Sequence, residues 1–81
     1  MIKGNQIYAA RALLGWLQRD LAARTEINQG TLCTYEKGMR VPKDRLAKIK
    51  AALEGAGIEF VNMPEGGEGV LLRNSHNGIG D

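Results

Sequence analysis

One cysteine, one histidine and four aromatic residues are all that this 81-residue chain holds of several side-chain types that carry chemistry. A lone cysteine, Cys33, excludes an internal disulfide and points to a reducing, cytoplasmic location. His76 lies in the C-terminal segment and Cys33 has no base that the sequence positions beside it, so no catalysis, metal site or cofactor is expected. Cys33 reads instead as a small, semi-buried or groove-facing residue. No apolar run approaches the roughly 18 residues of a membrane span. Met1, Ile2 and Lys3 lead into an amphipathic segment, not a signal peptide's apolar region. Gly66, Gly67 and Gly69 lack the strand-loop-helix order of a phosphate-binding loop. Trp16 has no aromatic neighbour in helical register, which makes it a packing residue of the first helix and not a stacking platform.

What is present is the composition of an ordinary soluble domain, 43% hydrophobic and 25% charged, in a length that permits one small core. The net charge of +2 conceals a division. Residues 1–53 carry ten basic side chains against four acidic ones, whereas residues 54–81 carry Arg73 against five acids. Attraction to phosphate must come from the first part, and the acidic second part suits a basic partner.

Apolar spacing predicts helices over about 5–16, 18–25, 29–36 and 43–54. In the first, Ile7, Ala10, Leu13, Leu14 and Leu17 form the inward stripe; in the fourth, opened by Pro42, Leu46, Ile49 and Leu53 do so, with Lys43, Arg45, Lys48 and Lys50 toward solvent. Asn28 caps the third helix, and Lys37 with Gly38 ends it. Two short strands follow, about 57–62 and 69–73, around a glycine-rich loop. Such a hairpin is marginal alone, so it lays Ile58, Phe60 and Leu71 on the helices or pairs its edge with a second copy, giving a homodimer. Residues 74–81 read as a disordered tail. The fold class is therefore mainly α: a compact four-helix domain over residues 1–73, containing a helix-turn-helix, with a short C-terminal β-hairpin and a disordered tail.

Residues 18–38, QRDLAARTEINQGTLCTYEKG, carry most of the information. Leu21, Ala22, Ile27, Leu32 and Tyr35 fall where two crossed helices need apolar or small groups, and Ala22 permits their close approach. With ARALLGW before it, Q-x-x-L-A and T-L-x-x-Y-E-K-G within it and Pro42 after it, the region from about Ile7 to Leu53 resembles the Cro/C1 (XRE)-type helix-turn-helix transcriptional regulators. The continuation AALEGAGIEFVN followed by GVLLR looks like bacterial members that append a hairpin.

The resemblance implies a helical bundle that places its third helix in the major groove of operator DNA, usually as a dimer. Gln18 would then bond a phosphate, Asn28 and Gln29 would face base edges, and Gly30, Thr31, Cys33 and Thr34 would line the groove. Gln29 is the best base reader, since its amide matches the donor and acceptor of adenine. Lys37, Arg40 and Lys43 would clamp the backbone. Arg11 and Glu36 match positions that commonly form a structural ion pair.

Three departures support a second reading. Glu26 stands where the turn usually carries glycine, Leu17 stands where a capping hydroxyl usually begins the second helix, and the third helix has no basic residue before Lys37. Leu17, Glu26, Gly30, Cys33 and Met39 then form a face suited to protein, and the chain is an antiactivator that binds and inhibits a transcriptional activator.

Overall fold

Gly15, at φ 72°, ends the first helix two residues before the apolar spacing predicts. In the computed structural model, which describes residues 2–73, helix α1 spans Gly4–Leu14. The amide of Gly15 donates to the Ala12 carbonyl and that of Trp16 to the Arg11 carbonyl, the paired bonds that close a helix through a left-handed residue. Helices α2 (Gln18–Thr25), α3 (Gln29–Glu36) and α4 (Lys43–Gly55) follow, then strands β1 (Ile58–Asn62) and β2 (Glu68–Leu72). Gly38 ends α3 in the same way as Gly15 ends α1, with Gly38 donating to Tyr35 and Met39 to Thr34. The predicted tail, including His76, lies outside the described residues. Among those described, no helix is long and apolar enough to cross a membrane.

Ile7, Ala10, Leu21, Ile27, Leu32, Tyr35, Ile49, Leu53 and Ile58 form the core, closed at one end by Ile2. The expected α1 stripe is narrower than the sequence suggests: Ile7, Ala10 and Leu14 pack inward, but Leu13 is 48% and Leu17 52% exposed. Leu13 lies off the line that Ile7, Ala10 and Leu14 follow, and Leu17 lies beyond the glycine turn, at the start of α2. Trp16 also falls beyond α1; it packs on the core edge with the Arg24 guanidinium 4.1 Å above its ring.

The strands pair antiparallel, Ile58 with Leu72, Phe60 with Val70 and Glu59 with Leu71. Cross-strand partners share a face, so Ile58, Phe60, Val70 and Leu72 turn to the helices. Leu71, expected among them, is half exposed on the other face. A one-residue change of register reverses every side chain, and the run Val70, Leu71, Leu72 leaves the alternation ambiguous.

Gln6 joins the hairpin to α1. It is 2% exposed, donates through Nε2 to the carbonyls of Gly69 (3.0 Å) and Val61 (3.4 Å), and accepts from the Lys3 amide at 2.9 Å. A buried amide with both ends satisfied is tolerated in a core, and here it fixes where the hairpin sits. The start of α1 meets the end of α3 even more closely. A Cβ on Gly4 would lie 2.2 Å from the Tyr35 carbonyl oxygen and 2.9 Å from that of Glu36. Only a residue without a side chain allows that approach, which sets the positive end of one helix against the negative end of the other.

Gly4→Ala is accordingly expected to cost about 2–3 kcal/mol, since backbone must move to admit the methyl group. Thermal denaturation should show a midpoint lowered by roughly 10 °C or more. Gly55→Ala, whose Cβ meets nothing within 4 Å, should leave it unchanged or raised. Equal midpoints for the two variants would contradict the close contact.

Candidate nucleic-acid interface

A helix-turn-helix requires two consecutive helices in contact and a turn tight enough to hold them. Here α2 packs on α3, with Leu21 and Leu32 fully buried and Ala22 partly so at the junction. The turn is residues 26–28. Glu26 adopts φ 61°, the one non-glycine residue with positive φ among those described. A left-handed non-glycine residue costs roughly 1–2 kcal/mol, and this is the place at which the sequence departs from glycine. Neighbouring side chains hold the strained turn. The buried Thr25 hydroxyl donates to the Leu21 carbonyl at 2.9 Å and accepts from the Ile27 amide at 3.3 Å. Asn28 Oδ1 accepts from the amides of Gly30 (2.8 Å) and Thr31 (3.4 Å), capping α3.

With Leu32 and Tyr35 inward, the residues at three- and four-residue spacing on the other side of α3 are Gly30, Cys33, Thr34 and Lys37. Gly30, Thr34 and Lys37 are exposed and Cys33 and Thr31 half-buried; Gln29, the first residue of the helix, is exposed. The Thr34 hydroxyl donates to the Thr31 carbonyl at 2.7 Å, which leaves its oxygen free to accept. The predicted base readers thus lie along one helix and its cap. Asn28 differs from the others in that its oxygen is committed to the cap, leaving its NH2 group for an external contact.

The predicted ion pair is present and holds three helices. Arg11 Nε donates to Glu36 Oε2 at 2.9 Å and Nη2 to Oε1 at 3.1 Å, with side chains only 12% and 6% exposed. Nη1 donates to the Trp16 carbonyl at 2.9 Å, so each nitrogen of the guanidinium has a partner. The hydrogen bond to Glu36 raises the Arg11 pKa above its ordinary value, burial opposes this, and the charge of Glu36 adds to the rise. Gln18, expected at a phosphate, donates instead to Glu36 Oε1 at 3.1 Å. It therefore buttresses the pair from α2.

Leu17 cannot cap α2, and Asp20 compensates in part by accepting from the Leu17 amide at 2.8 Å. Sequence reasoning missed this acid, although its place three residues after the cap is the usual signal. Leu17 and Met39, the latter 60% exposed, are half or more open to solvent, and Glu26 is exposed as well.

Beyond α3 the chain brings exposed Arg40 and Lys43 to a cleft of about 330 Å³ whose floor includes Ile2, Val41 and Leu46. Lys3 also lines it, 3.1 Å from Glu68 of the hairpin. That third cation was not foreseen, because only the fold carries it from the chain's start to the segment after α3. Arg45, which spacing places toward solvent, donates to the Tyr35 hydroxyl at 3.0 Å and so steadies the end of α3.

Arg11→Ala should destabilise by about 3–5 kcal/mol in chemical denaturation, because Glu36 would be left buried without its cation. The double substitution Arg11→Met with Glu36→Leu should recover most of that loss, and equal losses would refute a buried charge pair. Glu26→Gly should gain about 0.5–1 kcal/mol by relieving the left-handed residue, less the entropy of the glycine; a loss of stability would place the strain elsewhere. Compared with models of protein families and with curated proteins, the sequence matches none.

Proposed function

We propose that this chain is a cytoplasmic transcriptional regulator of the XRE helix-turn-helix type, binding operator DNA through α3 in the major groove. The observation that carries the reading is the row of exposed Gln29, Gly30 and Thr34 with half-buried Cys33 on a helix tied to α1 and α2 through Glu36. In this reading Gln29 contacts adenine and Thr34 a thymine methyl, each worth about 1–3 kcal/mol of discrimination at most. Lys37, Arg40 and Lys43 lie at or beyond the end of the same helix, where phosphate contacts supply affinity without sequence preference. Gln18 reaches a phosphate only by sharing the amide that bonds Glu36.

A second reading rests on Leu17 and Met39, each more than half exposed. With Glu26, Gly30 and Cys33 they offer a protein-binding face, through which the chain would act as an antiactivator. DNA remains the preferred partner, because the residues that carry the positive charge flank α3.

Selection from a random duplex pool followed by titration at two salt concentrations tests the proposal. The wild-type chain should select a sequence and lose affinity steeply with salt. Gln29→Ala with Thr34→Ala should abolish the preference but retain salt-sensitive binding. Arg40→Ala with Lys43→Ala should weaken all duplexes alike and reduce the salt slope by roughly two. Failure to select any sequence would overturn the DNA reading and direct the search to proteins captured through Leu17 and Met39.

A further inference from the structure

We propose that the cleft between the start of α1 and the connection from α3 to α4 binds a small organic carboxylate, and that its occupant withdraws Arg40 and Lys43 from DNA. The cleft combines the two features that such a ligand needs. Its apolar surface comes from Ile2, which is buried, and from Val41 and Leu46, which are half-buried. Its charge comes from Arg40 and Lys43, both exposed, and among the described residues no acidic side chain lines it. Neither of these cations is in an ion pair among the described residues, whereas Lys3, the third, is already held 3.1 Å from Glu68. Lys3 is therefore part of the wall and not of the charge open to a ligand.

The walls are fixed before any ligand arrives. Gly4 lies against the Tyr35 and Glu36 carbonyls too closely to admit a methyl group, which holds the start of α1 at the end of α3. On the other side the Gly38 amide donates to the Tyr35 carbonyl, the Met39 amide to that of Thr34, and the Leu46 amide to that of Pro42 at 2.8 Å as α4 begins. A preformed cleft costs little ordering on binding. At about 330 Å³ it lies at the lower end of the roughly 300–1,000 Å³ of small-molecule sites, which favours a compact ligand. An inorganic anion would satisfy the cations and leave the apolar floor wet; a neutral apolar molecule would cover the floor and strip water from unpaired charges. A carboxylate on a short apolar body meets both needs, since a guanidinium fork matches both of its oxygens. The second half of the proposal rests on the DNA reading, in which the same two side chains neutralise phosphates. Carboxylate and duplex would then oppose each other, each weakening the other by the same factor.

Amide NMR spectra of the full chain, titrated with octanoate in the absence of nucleic acid, test the site, with acetate, octanol and inorganic phosphate as controls. Saturable shifts should be confined to the cleft, among them the amides of Gly4, Val41 and Leu46, with a Kd of about 1 mM or tighter. Each control should bind roughly tenfold more weakly or worse. Arg40→Ala with Lys43→Ala, both at exposed positions, should keep the circular dichroism spectrum and weaken octanoate by roughly tenfold. Octanol bound as tightly as octanoate would make the cleft a seat for an apolar side chain of a partner or second copy, and phosphate bound as tightly would make it a plain anion site. Either result overturns the proposal, as does a titration without saturable shifts at the cleft. Duplex titrations with and without saturating octanoate, at matched ionic strength, read the second half. The octanoate-bound chain should behave as the double variant does, with a salt slope reduced by roughly two. A duplex affinity that octanoate leaves unchanged overturns that half alone. A chain that takes up octanoate but no duplex overturns the DNA reading, and the second half with it, while the carboxylate site stands.

Discussion

The buried contact between Arg11 and Glu36 is the constraint on which the arrangement of the first three helices depends. Apolar burial supplies most of the driving force but has no direction, so the ten buried apolar residues among those described could be satisfied by several relative rotations of such short helices. A guanidinium and a carboxylate removed from water cannot. Both oxygens of Glu36 are bonded, one of them to both Arg11 and Gln18, and the remaining nitrogen of Arg11 is taken by the Trp16 carbonyl. Four segments converge on one charge pair: α1, the turn after it, the start of α2 and the end of α3. Any rotation of α3 that would bury Thr34 or Lys37 would break the fork geometry and leave a charge without a partner, a state that costs several kcal/mol.

Around this point the chain accepts local costs for close packing. Gly4 surrenders helix propensity so that α1 can begin against the last carbonyls of α3. Glu26 occupies the left-handed region so that α2 can turn into α3 within three residues, with Thr25 and Asn28 bonding the amides of Ile27 and Gly30 that follow it. The α2–α3 unit is thus braced at its turn by polar caps and at its open end by Gln18 and Glu36.

Much of this plan is legible from residue type. Asn28, Gly38 and Pro42 mark boundaries because each has a backbone preference that operates locally, and α2 and α3 occupy the predicted residues. The end of α1 was misjudged because apolar spacing continues through Gly15 into the next helix, so periodicity outvoted a single glycine. The hairpin face was misjudged for the same kind of reason: three successive apolar residues, 70–72, fit either register, and only the pairing with Ile58 and Phe60 decides. Gln6 reads as a polar residue on a mostly polar stretch; its role exists only once the carbonyls of Val61 and Gly69 are brought to it. At the candidate site, the outward row on α3 and the capping bonds of Asn28 follow from local sequence, whereas the commitment of Gln18 to Glu36 depends on a neighbour that spacing cannot show.

The division of charge along α3 bears on how such a module would recognise DNA. Gln29, Gly30, Thr31, Cys33 and Thr34 are neutral, and the cations lie at Lys37, Arg40 and Lys43. Neutral donors and acceptors discriminate between bases but contribute little long-range attraction, while lysine and arginine on phosphate attract without discriminating. A single copy therefore has few contacts of either kind, over a module interface of roughly 600–1,000 Å². The hairpin packs mainly on α1 and α4, while α3 packs on α1 and α2. The hairpin and α3 are consequently different surfaces, linked by α1, whose Gln6 grips the hairpin and whose Arg11 holds α3.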